Sequence, residues 1–381
     1  MSEAIPPDGR EPDAPPEAER RQLAAFHQAM LQSTPRTYFS WSLIAANAAV
    51  WLLMVVRGAG AMDPTGEELI AWGANYGPMT LAGQWWRLLS SAFLHIGVVH
   101  LLVNMWALWS IGPFVERLLG NARYLALYLL AALGGSLASV AWNPQIISAG
   151  ASGALFGVFG AFMANLIRHR REIPPSVRAS MWKNVLVLGA INIGYGLIRP
   201  GIDNAAHLGG LGTGFLAGLV LARPLAPSPA FREWGRAALA AVTGAGLLAL
   251  AATALPKAVP DVRGEVRIAI GEIQKADRDF ADCTARFARS ELSGSGYAAI
   301  MDRDILPGYR SALRRLDQPE GLSKLPPEAR TSVGVLAEYA RARVSALTTL
   351  VGLLRSAVPG SPEEEQARKD ARQALKPKAD K

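Results

Sequence analysis

Between Phe39 and Leu255 the chain returns again and again to runs of roughly 16–20 mainly apolar residues, the length that crosses a bilayer as a helix. They fall near 41–57, 97–115, 124–142, 149–167, 183–198, 205–222 and 238–255, which predicts seven transmembrane helices and an all-α, polytopic membrane bundle over 39–257. After Pro256 the pattern changes. Val266, Ile270, Ile273, Phe280 and Phe287 recur at three-, four- and seven-residue steps, as do Leu336, Val344, Leu347, Leu350 and Leu354. Apolar stripes on an otherwise charged background are the mark of helices that pack in water, so a small extramembrane helical domain is expected at 258–358.

The two ends carry no such stripes. Residues 1–38 are rich in Pro, Glu and Arg and contain no apolar core, so they are read as a disordered tail rather than a cleavable leader. A short amphipathic turn through Leu23, Phe26 and Met30 is compatible with contact at the membrane surface, but a solvated tail is the expectation. Residues 359–381 are expected to be a basic disordered tail.

Charge sets the expected orientation. Arg117, Arg123, Arg168, Arg170, Arg171, Arg178, Lys183, Arg223, Arg232 and Arg236 fall in alternate loops, and the intervening loops hold only Arg57, Arg87 and Arg199. An excess of Lys and Arg marks the cytoplasmic side. The N-terminus is therefore expected in the cytoplasm, and an odd number of spans puts the region after Pro256 outside, as in a multi-pass protein of a bacterial inner membrane. The formal net charge of +8 over 381 residues follows from this topology and the tails, and no basic and aromatic interleaving points to nucleic acid. The lone Cys283 permits no internal disulfide.

Within the spans, small residues recur four apart at Ala149, Gly153, Gly157 and Ala161, and again at Gly210, Gly214 and Gly218. Stripes of this kind let helix backbones approach closely. If the two pack together, Ser152 and His207 meet at similar depth near the outward ends of their helices. A serine in such a stripe is ordinarily packing material that bonds back to its own helix. An ionisable histidine within a span is a functional candidate by default. His100 and Asn104, four residues apart, share one helix face, with His95 just upstream. Their N–H donors suit a carbonyl oxygen that becomes negative during acyl transfer, although a purely structural network, worth about 1 kcal/mol per bond, accounts for the same residues.

These residues carry a resemblance. "GASG" with Gly150 and Ser152, "AHLGGLGTG" with His207, "HIGVVHLLVN" with His95, His100 and Asn104, "WWR" with Trp86 and Arg87, and "GPFVERLLG" with Glu116 resemble, in order and in span, the rhomboid family of intramembrane serine proteases. The likeness covers about residues 40–225, and the seventh span is similar to the family's six-plus-one arrangement. The resemblance implies a Ser152 nucleophile, a His207 base and an oxyanion held by Asn104, His100 and the Ser152 backbone N–H, with His95, Phe156, Gly150, Trp86, Arg87 and Glu116 in support. It implies no cofactor and no metal. It implies single-span transmembrane proteins as substrates, within the lipid bilayer. Phe156 stands where several relatives have a tyrosine stacked on the histidine; phenylalanine keeps the stack and loses the hydroxyl.

No acidic third member is evident. Asp203 lies one turn before His207, and its context reads as a helix N-cap. The nucleophile elbow G-x-S-x-G is excluded because position 154 is Ala. A catalytically silent relative that binds membrane helices is the alternative. A transporter is disfavoured by the lack of an internal repeat. The partner of the 258–358 domain cannot be read from its residues.

Overall fold

The computed structural model describes residues 17–198, 202–225, 229–317, 322–325, 327–358 and 360–374. It divides after Val259 into two compact units.

The first unit contains α1 (Glu17–Ser33), α2 (Phe39–Val56), α3 (Gly66–Trp72), α4 (Gly77–Leu81), α5 (Arg87–Ser90), α6 (Gly97–Leu119), α7 (Asn121–Trp142), α8 (Ser152–Arg168), α9 (Pro175–Ile198), α10 (Asn204–Leu221) and α11 (Ala230–Ala252). Five described helices, α2, α6, α7, α10 and α11, are long and apolar enough to cross a membrane. The other two expected spans coincide with α8, an apolar helix of 17 residues, and with α9, several of whose side chains lie outside the described residues. The fold is the expected all-α membrane bundle.

Position within the bundle follows from side-chain size. Two thirds of the apolar window of α7 is buried, against 6% for α11. α7 carries Gly134, Gly135 and a run of alanines, which let α8, α10 and α11 pack on it, whereas α11 presents bulky Leu239, Val242, Leu247 and Leu250 outward. In lipid such exposed leucines need no cover, because the surroundings are as apolar as they are. α8 and α10 meet backbone to backbone. A Cβ on Gly210 would lie 1.9 Å from the Gly153 carbonyl oxygen, and one on Gly214 would lie 2.1 Å from that of Gly157. The two predicted small-residue stripes do pack together in register at three pairs, Gly153 with Gly210, Gly157 with Gly214 and Ala161 with Gly218; Ala149 precedes the first turn of α8.

The segment between α2 and α6 is built by local signals. Thr65 and Glu68 form a reciprocal capping box at the start of α3, and Gly73, at φ +105°, closes its end. Two short strands, β1 (Asn75–Tyr76) and β2 (Ile147–Ser148), pair antiparallel in the register Asn75 to Ser148. Pairs this short leave no periodic trace in a sequence. Asn75 fastens the ladder to α7 by donating from Nδ2 to the Ser136 carbonyl at 2.8 Å, and accepts from the Thr80 hydroxyl at 2.8 Å.

Two expectations are corrected. Of the N-terminal tail, residues 17–33 are helical, and Phe26 and Met30, each 3% exposed, sit in the core of the bundle. The Gln22 side chain donates to the Arg171 carbonyl at 3.0 Å, and Phe26 meets His169 edge to face. A helix anchored by two apolar residues shows too little periodicity to be distinguished from a solvated tail. Residues 1–16 lie outside the described residues.

The second unit contains α12 (Val262–Ala288), α13 (Gly294–Ile300), α14 (Leu306–Leu316), α15 (Pro327–Ser356) and α16 (Pro362–Ala374). Its core holds Phe287, Tyr297 and Tyr309, with Phe287 and Tyr297 stacked at 4.5 Å. Cys283 is buried among these side chains, and desolvation pushes its thiol up to about 11, far from a reactive thiolate. The expected disordered tail from 359 is in part α16. The carboxylate of Glu364, 7% exposed, accepts from the backbone N–H groups of Gly294 and Gly360 at 2.8 Å each and pairs with Arg368 at 2.9 Å. Residues 375–381 lie outside the described residues.

Candidate active site

Ser152 is the first residue of α8, which follows the β1–β2 ladder through Gly150 at φ +139°, a conformation that favours glycine. A Cβ there would also sit 2.6 Å from the His100 ring. The first ladder bond of α8 runs from the Leu155 N–H to the Ala151 carbonyl, so the N–H groups of Ser152, Gly153 and Ala154 have no partner within the helix. They are the positive end of the α8 dipole. His207 lies on the first turn of α10, whose N-terminus is capped by Asp203 accepting from the Ala206 N–H at 2.9 Å. The N-cap expected of Asp203 is the role its side chain takes.

Because Gly153 and Gly210 bring α8 and α10 into backbone contact, Ser152 Oγ and His207 Nε2 stand 2.9 Å apart. His207 is 7% exposed, and Phe156, one turn along α8 from Ser152, stacks on its ring at 4.3 Å and 8°. The stack fixes the plane of the imidazole. A serine hydroxyl that donates to Nε2 requires the proton on Nδ1, and that nitrogen is buried without a hydrogen-bond partner among the described residues.

The pair lines a cavity of about 520 Å³ whose wall also includes His100, Asn104, Gly150 and Asp203. His100 Nδ1 accepts from the Ile96 N–H at 3.3 Å, which turns the other ring nitrogen toward Gly150. Asn104 donates one amide hydrogen back to the His100 carbonyl at 2.8 Å and keeps a second donor. Sequence reasoning missed Ser91 and Ser136, whose hydroxyls lie 3.2 Å apart in the same wall. Their only signal was a polar atom in an apolar setting, which many structural serines share. The cavity is therefore lined at depth by hydroxyl, amide and imidazole groups able to hold water.

The other expected residues stand outside this wall. His95 is fully buried with its ring 5.4 Å from that of His100. Arg87, 5% exposed, donates to the carbonyls of Ile70 and Ala74 and to the Gln84 side chain, clamping the segment between α2 and α6. Burial lowers its pKa, and the guanidinium stays charged, lying over the Trp86 ring at 4.7 Å. Glu116 of α6 is fully buried and accepts from the N–H groups of Phe39 and Ser40 at 2.8 Å each and from the Ser40 hydroxyl at 2.6 Å. It caps α2 from across the bundle.

An all-α bundle of apolar spans marks an integral multi-pass membrane protein, and a serine and a histidine are in contact inside it. Residues 82–224 match the Rhomboid domain. The rhomboid protease AarA of Providencia stuartii is 33% identical over 190 residues, covering 44% of this chain and 67% of that protein. The chain belongs to the rhomboid family. The rhomboid protease GluP of Bacillus subtilis is 37% identical over 210 residues, 55% of this chain and 39% of that protein. RHOMBOID-like protein 4 of Arabidopsis thaliana is 43% identical over 136 residues, 36% of this chain and 34% of that protein. The matched stretches thus span well under half the length of these last two relatives.

Proposed function

We propose that this chain is an intramembrane serine endopeptidase that cleaves transmembrane segments of single-span membrane proteins through a Ser152–His207 dyad. The observation that carries the reading is the 2.9 Å contact between Ser152 Oγ and His207 Nε2 beneath a stacked Phe156, at the unpaired N-terminus of α8. His207 takes the hydroxyl proton as Oγ attacks the peptide carbonyl, then returns it to the leaving amine. Water, activated by the same imidazole, hydrolyses the acyl-enzyme. The carbonyl oxygen that becomes negative is held by the second Asn104 amide hydrogen, the His100 ring and the Ser152 N–H, each donor contributing about 2.7–4 kcal/mol to lowering the barrier. In this reading His95, Trp86, Arg87 and Glu116 position the helices and do not touch substrate.

In this reading the opposite end of the bundle faces the cytoplasm, with the cavity toward the outer face and the second unit outside the cytoplasm, an orientation supported by the excess of arginine in alternate loops. The reading is supported by relatives named as proteases, GluP and AarA. The test is cleavage of a single-span substrate by the purified chain in liposomes. Ser152→Ala and His207→Ala are each expected to reduce turnover to background, with the double variant no worse than either. Near-normal cleavage by folded Ser152→Ala protein removes the assignment.

A further inference from the structure

At the end of the bundle remote from Ser152, three loops converge on a second cavity, of about 390 Å³, lined by Thr34, Arg36, Tyr38, Gly120, Arg223 and Glu233 among others. Its chemistry is unlike that of the first. Arg223 is 5% exposed and lies against Gly120, where φ is +84° and a Cβ would meet the guanidinium carbon at 2.9 Å. One of its terminal nitrogens donates to the Thr34 hydroxyl at 2.6 Å, and the other is 3.7 Å from Glu233. Its Nε has no hydrogen-bond partner among the described residues. Arg123, also 5% exposed, stands behind it, donating to the Leu221 carbonyl at 2.9 Å and pairing with the same Glu233 at 2.9 Å. Glu233 is the sole acid in the cavity wall among the described residues, and it faces two buried guanidiniums with a third, exposed, on Arg36.

Two buried cations on one carboxylate leave positive charge where water cannot screen it, and such an excess is costly without an anion. Burial accordingly lowers the pKa of Arg223. The first turn of α7 adds to the field, because its ladder begins at the Tyr124 N–H and leaves the preceding N–H groups unpaired. Tyr38 and Trp234, both about half exposed, flank the opening at the starts of α2 and α11, where spans meet the interface. Guanidinium forks, a helix N-terminus and interfacial aromatic rings together fit a phosphodiester carried at the membrane surface.

We propose that this cavity binds the phosphate headgroup of an anionic phospholipid, bridging α2, α7 and α11. The site acts independently of the chemistry at Ser152. The test is the melting temperature of the full chain in detergent micelles, titrated with phosphatidylglycerol, phosphatidylcholine or inorganic phosphate. Phosphatidylglycerol is expected to give a saturable rise that phosphatidylcholine does not. Arg36→Gln, which removes an exposed side chain and leaves the buried pairs intact, is expected to raise the half-saturating concentration about fivefold. Arg223→Gln, where it folds, should abolish the rise, and Arg168→Gln, an exposed arginine outside the cavity, should leave it unchanged. Equal rises with both lipids, or equal weakening by Arg168→Gln and Arg36→Gln, would overturn the site. A rise reproduced by inorganic phosphate alone would overturn the lipid as its source.

Discussion

The α8–α10 contact and the core of the second unit are both helix-on-helix packing, yet they are built from opposite materials. In the first, glycines remove side chains so that carbonyl oxygens of one helix face the α-carbons of the other. In the second, rings and long aliphatic chains fill the space between amphipathic faces, with Phe287, Tyr297 and Tyr309 at the centre. The solvent explains the difference. Between lipid tails a leucine gains nothing by facing inward, so close approach and weak polar contacts hold the helices. In water, apolar area removed from solvent is the main favourable term. Placing Ser152 within hydrogen-bond reach of His207 depends on the first kind of packing, because no large side chain separates their backbones.

The sharpest way to break that comparison is to put volume where the glycine is. Gly210→Val adds a side chain whose Cβ begins 1.9 Å from the Gly153 carbonyl, and α8 and α10 must part. A displacement near 1 Å at the reacting atoms is expected to lower the cleavage rate about 10²-fold even in protein that remains inserted. Activity in liposomes against the unchanged chain measures it, and normal cleavage would mean that the dyad is not set by the glycine register.

Removing volume is the corresponding test of the second unit. Phe287→Ala deletes a fully buried ring stacked on Tyr297 and is expected to cost about 3–5 kcal/mol of that unit's stability. Chemical denaturation followed by circular dichroism reads this out, and cleavage of a generic substrate should persist. Loss of all cleavage would show that the units do not act separately.

A smaller effect distinguishes the units by pH. Hydrogen bonds from the backbone N–H groups of Gly360 and Gly294 hold Glu364 below the usual carboxylate range. Its folded pKa is depressed, so its contribution is present above the unfolded value and is lost as pH falls through the folded one. Melting of the second unit should therefore weaken on acidification below the ordinary carboxylate range, and Glu364→Gln should flatten part of that dependence. The same slope in the variant would assign the effect to other acids.

The smallest change is the control. Gly212, two residues beyond Gly210 on α10, faces open space, and a Cβ there would meet no atom within 4 Å. Gly212→Ala should therefore leave cleavage unchanged and, by helix propensity, stabilise by up to about 1 kcal/mol.

This contrast also explains what could be read beforehand. The glycine stripes, the apolar runs and the cap at Asp203 are local patterns, each complete within about twenty residues, and the structure follows them. The α1 helix is anchored by only Phe26 and Met30, and α16 by Glu364 and Ala371, so neither leaves an apolar period to detect. The β1–β2 ladder joins residues over 70 positions apart through two-residue strands, and the Arg123, Arg223 and Glu233 cluster joins the first turns of α7 and α11 to the segment after α10. As sequence, those arginines count only toward topology; their burial is a product of the fold. Among the residues lining the cavity, His207, His100 and Asn104 stand out in the sequence because ionisable and amide groups are rare inside spans, and Ser152 through the motif around it, whereas Ser91 and Ser136 are hydroxyls with neither mark.

The cap that Glu116 places on α2 also imposes an order in time. Ser40 and Glu116 are separated by 76 positions, so the first span leaves the ribosome with its leading N–H groups uncapped and keeps them so until the middle of the chain arrives. At elongation rates of about 5–20 residues per second that interval is roughly 4–15 s. Until then α2 lacks the cap, and Phe39 and Ser40 gain their buried acceptor only once α6 has been made.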